Sequence, residues 1–286
     1  PDKTTSHFMK GRFFGIGLSV VLSTASIILF FTPGLNYGID FVGGIQIELK
    51  TKGPADFAAL RSNLDKQGMG EVKPQEFGSP DQVLIRIDHQ PGGDEAQQAA
   101  IAKVKANLEQ NFPGSQIQSS VAVGATVSGE LFWDGMKALG LALVAMLIYI
   151  WFRFEWQFGV GAVVTLILDV TKTIGFFALA GWLLGWQFSL ESIAAILTIM
   201  GYSINDKVVI YDRVRENLRK YRTMPLRELI DLSINETLAR TIGTSSSVFL
   251  AALPLVFIGG EALRPFGWVM LWGVALSTIS SIMIAA

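Results

Sequence analysis

The sequence predicts a polytopic α-helical membrane protein: six transmembrane helices, with an α+β domain inserted between the first and the second. Three observations carry this. Half of the 286 residues are hydrophobic and only 16% are charged, at a mean hydropathy of +0.43, which lies outside the range of water-soluble domains. Six apolar runs are each long enough to cross roughly 30 Å of hydrocarbon at about 1.5 Å per residue. Between the first run and the other five, residues 33–130 hold 12 acids and 8 bases with recurrent Gly, Pro and Gln, and no stretch there could span.

The first run, Phe13–Thr32, is 20 residues without a charge and follows Lys3, Lys10 and Arg12. It is too long for the apolar core of a signal peptide, so it reads as an uncleaved anchor. Starting at Pro1 and ending on Ala286 inside an apolar run, the chain is expected to lack short natural ends.

Residues 33–131 form the inserted domain. Ile45–Lys50 alternates as a strand, Ala55–Gln67 places Phe57, Leu60 and Leu64 at helical spacing, and Val72–Phe77 is a weaker strand. The pattern then repeats: Gln82–Ile87 as a strand, Glu95–Phe112 as a helix with Ile101, Val104 and Leu108 on one face, and Gln116–Val123 as a closing strand. The order β-α-β-β-α-β is that of the split βαβ, or ferredoxin-like, arrangement. Residues 132–286 supply the remaining spans, expected at Trp133–Phe152, Trp156–Leu184, Leu190–Tyr211, Thr237–Ile258 and Pro265–Ala286, with a basic cytoplasmic loop at 212–236.

Orientation follows from Lys and Arg in the short links, which stay on the cytoplasmic side. The 212–236 segment carries Arg213, Arg215, Arg219, Lys220, Arg222 and Arg227, and the link after the second span carries Arg153, whereas Gly185–Ser189 has no basic residue. Six spans then leave both termini cytoplasmic and the inserted domain exported.

Composition excludes several chemistries. With no cysteine there is neither a disulfide framework nor a thiolate site, and His7 and His89 leave little for zinc or haem, so no metal or other cofactor is expected. A net charge of -1 gives no reason to expect nucleic acid. No nucleophile, base and orienting group stand at a recognisable spacing, so an enzyme is not expected. None of the Gly-Gly pairs 43–44, 92–93 and 259–260 sits in the context of a nucleotide loop.

The chemistry-bearing residues are the charges inside the spans, each costing about 2.5–3.5 kcal/mol at a helix centre. Asp206 lies roughly 9 Å above the border at Asp212 and Arg240 roughly 6 Å above Glu236, so the two are expected to approach each other. A carboxylate beside a guanidinium stays ionised and one in an apolar site takes up a proton, which makes the pair a candidate proton relay. Asp169 sits near the midplane with Lys172 three residues on, either as a relay or as mutual neutralisation on one helix face. Lys207 points about 100° away from Asp206 and is expected to snorkel to the interface. Around these charges, Gly201, Ser203, Asn205, Gly243, Thr244 and Ser245 serve either close helix packing or a file of proton-conducting water. Asp40, Gly43 and Gly44, just after the first span, suit a structural turn.

Several segments resemble the SecF branch of the SecD/SecF family of protein-export membrane proteins. They are Gly38-Ile39-Asp40-Phe41-Val42-Gly43-Gly44, Gly201-Tyr202-Ser203-Ile204-Asn205-Asp206, Asp212-Arg213-Val214-Arg215-Glu216-Asn217, Ser233-Ile234-Asn235-Glu236-Thr237-Leu238-Ala239-Arg240-Thr241 and Thr244-Ser245. The resemblance covers essentially the whole chain. It implies a resistance-nodulation-division type half-bundle in the bacterial inner membrane, partnered by SecD. It further implies assistance to the SecYEG channel and its accessory subunits, and use of protons as the coupling ion to draw an unfolded polypeptide outward. By the same resemblance Asp206 and Arg240 fall on the intramembrane Asp and Arg implicated in proton passage. Leu168-Asp169 stands where many relatives have His-Asp, and Lys207 where Thr or Ser is common. A proton-driven small-molecule efflux half-transporter and a non-transporting assembly scaffold are the alternatives.

Overall fold

The structure, a computed structural model, describes residues 6–285; Lys3 and Ala286 lie outside them. The chain divides into two compact units, one of residues 37–137 with 187–190 and one of the remaining segments.

In the first unit the strands β1 (Gly44–Lys50), β2 (Val72–Phe77), β3 (Ser79–Ile87) and β4 (Gln116–Val123) form one sheet in the order β2-β3-β1-β4. Every neighbouring pair is antiparallel. Helices α3 (Phe57–Asp65) and α4 (Gly93–Asn111) follow β1 and β3, which gives the split βαβ connectivity expected from the sequence pattern. Alternation along β1 turns Ile45, Ile47 and Leu49 inward onto Leu60 and Leu64 of α3 and Ile101, Val104 and Leu108 of α4, all in one buried core. Asp56 caps α3 by accepting from the Ala59 N–H at 2.9 Å. Ahead of β1 stands a short helix that the periodicity did not announce, α2 (Ile39–Val42). Between the two, Gly44 has φ +116°, and a Cβ there would lie 2.5 Å from the Ile87 carbonyl oxygen, so only glycine fits.

The second unit is helical: α1 (Arg12–Phe31), α6 (Trp156–Leu184), α7 (Leu190–Lys220), α8 (Leu226–Phe257) and α9 (Gly260–Ser280), together with the later part of α5 (Ala125–Arg153). With α5 and α9 included, six helices among the described residues are long and apolar enough to cross a membrane. Large and small residues are sorted as lipid demands. On α1, Phe13, Phe14, Val21, Ile28 and Phe31 face outward, while Gly15, Ser19, Ser23 and Ser26 are buried. α6 meets that stripe at Gly175, where a Cβ would lie 2.6 Å from the Ser26 Cα.

The segment expected as a basic loop, 212–236, is helical except for residues 221–225. Good helix formers let α7 run on past the apolar stretch to Lys220, and Pro225, with its fixed φ, stands directly before α8. Charge pairing holds the two extensions together: Arg213 Nε donates to Glu236 Oε2 at 2.7 Å, and Asn217 Nδ2 to the same oxygen at 2.8 Å. Arg153 at the end of α5 donates to Asp212 Oδ2 at 2.5 Å. The Asp212–Asn217 motif is therefore a clamp between helix ends.

Candidate functional site

Helical spacing decides where each membrane charge points. On α7, Ser203 and Lys207 are one turn apart and share a face, while Asp206 is turned about 100° from its neighbour. On α6, Asp169 and Lys172 share a face in the same way.

The structure brings α6, α7 and α9 together on a single carboxylate. Asp169 Oδ2 accepts hydrogen bonds from Lys207 Nζ at 3.0 Å, Ser203 Oγ at 2.9 Å and Ser280 Oγ at 2.7 Å. Lys172 Nζ stands 3.6 Å from Asp169 Oδ1, an ion pair, and among the described residues Oδ1 has no hydrogen bond. Lys207 Nζ also donates to Ser203 Oγ and lies 3.5 Å from Ser280 Oγ. Asp169 and Lys207 are each 1% exposed and Lys172 3%. Charges so deeply buried persist only when paired and hydrogen-bonded, and this cluster meets both conditions.

Lys207 therefore does not snorkel as its sequence position suggested. A carboxylate on the neighbouring helix lies within reach of its stem, and the ion pair with its hydroxyl partners replaces the solvation that the interface would provide. The neutralisation of Asp169 by Lys172 is present, but Asp169 is shared with the second lysine.

Asp206 occupies a different environment. It is 2% exposed and its Oδ2 has no hydrogen-bond partner among the described residues; the polar groups that act on it are Tyr202, Lys207 and Arg240. Arg240, exposed on α8, makes no direct ion pair with Asp206 among the described residues, so the two stand within electrostatic reach rather than in contact. Beside them a row of hydroxyls crosses three helices: Tyr202 Oη lies 2.6 Å from Ser245 Oγ, which lies 2.7 Å from Thr278 Oγ1. Ser245 joins this row, and Thr244, which donates to the carbonyls of Arg240 at 3.1 Å and Thr241 at 3.0 Å on its own helix, also acts on Tyr202. Asn205 lies apart from both groups, lining a cavity of about 400 Å³ with Met146 and Tyr149 of α5 and Gly201 of α7.

Asp40, Gly43 and Gly44 fall in the other unit. Asp40 Oδ2 accepts from the Leu190 N–H at 3.1 Å within that unit. Tyr37, Phe41, Phe132 and Phe188 of the same unit pack ring to ring. Gly43, at φ +76°, ends α2.

Tyr202, Ser280 and Thr278 are the site residues that sequence reasoning missed, Tyr202 lying inside the Gly201–Asp206 motif without being singled out. The available signal was the spacing of Ser277, Ser280 and Ser281 on one face of an otherwise apolar span, all three fully or almost fully buried.

Comparison with known proteins agrees with this architecture. Residues 103–286 match the family model for the C-terminal part of the protein export membrane proteins SecD/SecF, and residues 28–55 match the SecD/SecF GG motif. The protein translocase subunit SecF of Rhodobacter capsulatus is 42% identical, across 100% of this chain and 88% of its own length. The protein translocase subunit SecDF of Brucella abortus is 41% identical across 100% of this chain, which spans 37% of that longer protein. The crystal structure of SecDF from Thermus, a translocon-associated membrane protein, superposes with a TM-score of 0.87 at 32% identity, over 99% of this chain and 38% of that one. This chain belongs to the SecD/SecF family of protein-export membrane proteins.

Proposed function

We propose that the chain is the SecF-type auxiliary subunit of the Sec protein-export machinery of the bacterial inner membrane. Paired with SecD, it uses the proton motive force to promote late steps of polypeptide translocation through SecYEG, with Asp206 and Arg240 as the proton relay. It is a transport component and not an enzyme. Both termini lie in the cytoplasm and the α+β domain on the periplasmic side, a reading supported by the basic residues at 153 and 213–227.

The observation that carries the relay is the Oδ2 of Asp206, a buried carboxylate oxygen in a membrane helix that has no hydrogen-bond partner among the described residues and a guanidinium within electrostatic reach. A group so placed exchanges a proton without first breaking a hydrogen bond at that oxygen, and the Arg240 guanidinium stands within electrostatic reach of it. The hydroxyl row from Tyr202 through Ser245 to Thr278 offers donors and acceptors for moving the proton on. Each proton crossing about 100 mV releases about 2.3 kcal/mol, enough to shift a helix bundle between two packings of similar stability.

The scaffold reading draws on the Asp169 cluster, which is bonded as a staple between helices would be. Vesicles carrying this chain with SecD and the translocon, loaded with a secretory protein, decide between them when native protein, Asp206→Asn and Arg240→Met are compared at equal assembled amounts. Loss of proton-driven export with assembly intact is expected. Normal export by both variants would leave the charges structural and sink the relay.

A further inference from the structure

We propose that Lys207 is a positioning residue for the relay: its ammonium, held on Asp169, transmits the charge state of Asp206 to α6 and α9. This rests on the reading of Asp206 given above. Lys207 and Asp206 are consecutive on α7, yet the lysine carries its charge into the space between α6 and α9. The carboxylates acting on that charge are Asp169 and Asp206. The ammonium is bonded to one buried acid, Asp169, and belongs to the residue next to a second, Asp206; among the described residues each acid has an oxygen without a hydrogen bond, Asp169 Oδ1 and Asp206 Oδ2.

Charge accounting gives this geometry a consequence. Lys172, Asp169, Lys207 and Asp206 alternate in sign, and when all are ionised they sum to zero. When Asp206 takes a proton from hydronium, an O–H bond forms on its carboxylate as one breaks on the hydronium, which leaves as water, and the four residues together carry one uncompensated positive charge. Arg240, on α8, adds to that excess rather than cancelling it. Lys207 then belongs to Asp169 alone, whereas an ionised Asp206 competes for it. Ser203 and Ser280 share the oxygen that Lys207 holds, so any change in the lysine's allegiance is felt by α6, α7 and α9 together. Tyr202 faces Asp206 from its own helix but carries no charge to compete with. A static staple would need no such arrangement, since Lys172 alone neutralises Asp169.

The chain contains no cysteine, so two spin labels can be placed on it without prior substitution, at the exposed positions Ile167→Cys on α6 and Ile279→Cys on α9. The labelled full chain, with SecD in vesicles, is compared as such, with Asp206→Asn as the mimic of the protonated acid, with Lys207→Gln, and with both. Asp206→Asn alone is expected to change the label separation by about 1–2 Å, the scale of helix shifts in such transitions. In the Lys207→Gln background the same substitution is expected to change nothing. Lys207→Gln is also expected to lower proton-driven export about tenfold, within the usual range of coupling between linked sites. Persistence of the Asp206→Asn effect without Lys207, or export by Lys207→Gln within twofold of native, would overturn the proposal. Either result would leave the relay intact so long as Asp206→Asn itself abolishes export. The swap Asp169→Lys with Lys207→Asp guards against simple misfolding: it restores the ion pair and is expected to restore assembly but not export. Recovery of both would show the pair to be structural only.

Discussion

Placing a methyl group at Gly175 tests how tightly α1 and α6 are packed. In Gly175→Ala the new Cβ would lie 2.6 Å from the Ser26 Cα and closer still to the Ser26 side chain. Non-bonded carbons prefer about 3.5–4.0 Å, so the helices must separate by about 1 Å. The obstacle is backbone as well as side chain, and no rotamer change relieves it. Overpacking of this kind costs about 1–3 kcal/mol, and the separation loosens packing along the buried stripe Gly15, Ser19, Ser23 and Ser26. Gly17→Ala on α1 is the control: nothing lies within 4 Å of its Cβ position, and the higher helix propensity of Ala makes it neutral or stabilising by up to about 1 kcal/mol. Thermal unfolding of both variants in detergent, followed by the fluorescence of the seven tryptophans, should separate them by several degrees with Gly175→Ala the less stable. Variants that melt together, or a more stable Gly175→Ala, would refute the close approach. Gly175 lies six residues beyond Asp169 on the same helix, so the separation should also disturb the Lys207 pairing and reduce export.

Two further substitutions separate stability from function. Asp169→Asn strands two buried lysines and should cost about 3–5 kcal/mol in the same melting assay, whereas Asp206→Asn, whose Oδ2 has no partner to lose, should cost about 1 kcal/mol or less; equal losses would contradict the assigned pairing. Gly44→Ala forces a side chain into φ +116° against the Ile87 carbonyl and should cost about 1–3 kcal/mol. That loss would be seen as faster amide hydrogen exchange in β1, β3 and β4, while Gly53→Ala, with nothing within 4 Å, leaves exchange unchanged.

Element order was legible in advance because its determinants are local. Alternation in Ile45, Ile47 and Leu49 and the spacing of Leu60, Leu64, Val104 and Leu108 mark the inward faces of strands and helices whatever they pack against. α6 was expected at Trp156–Leu184 and spans those residues, since the charged residue before it and Gly185 after it punctuate the apolar run. Where helix formers continued past the apolar stretch, hydropathy misjudged the ends, and the expected loop at 212–236 proved to be mostly two helix extensions held by Arg213, Asn217 and Glu236. Asp206 could be placed inside its span by counting residues; its unpartnered oxygen could not be foreseen.

What the sequence by itself determined is which residues enter the membrane, which form the inserted sheet, and which charges must therefore be buried, because the transfer of each group into lipid depends on its own neighbourhood along the chain. What only the tertiary structure decided is which charge answers which. The groups on Asp169 come from 34, 38 and 111 residues away, and each added residue turns a helix by about 100°. Small differences in helix rotation therefore choose between Lys207 reaching for the interface and Lys207 closing on Asp169. Packing of small residues such as Gly175 against Ser26 sets those rotations, and it is a property of surfaces that meet only once the chain has folded.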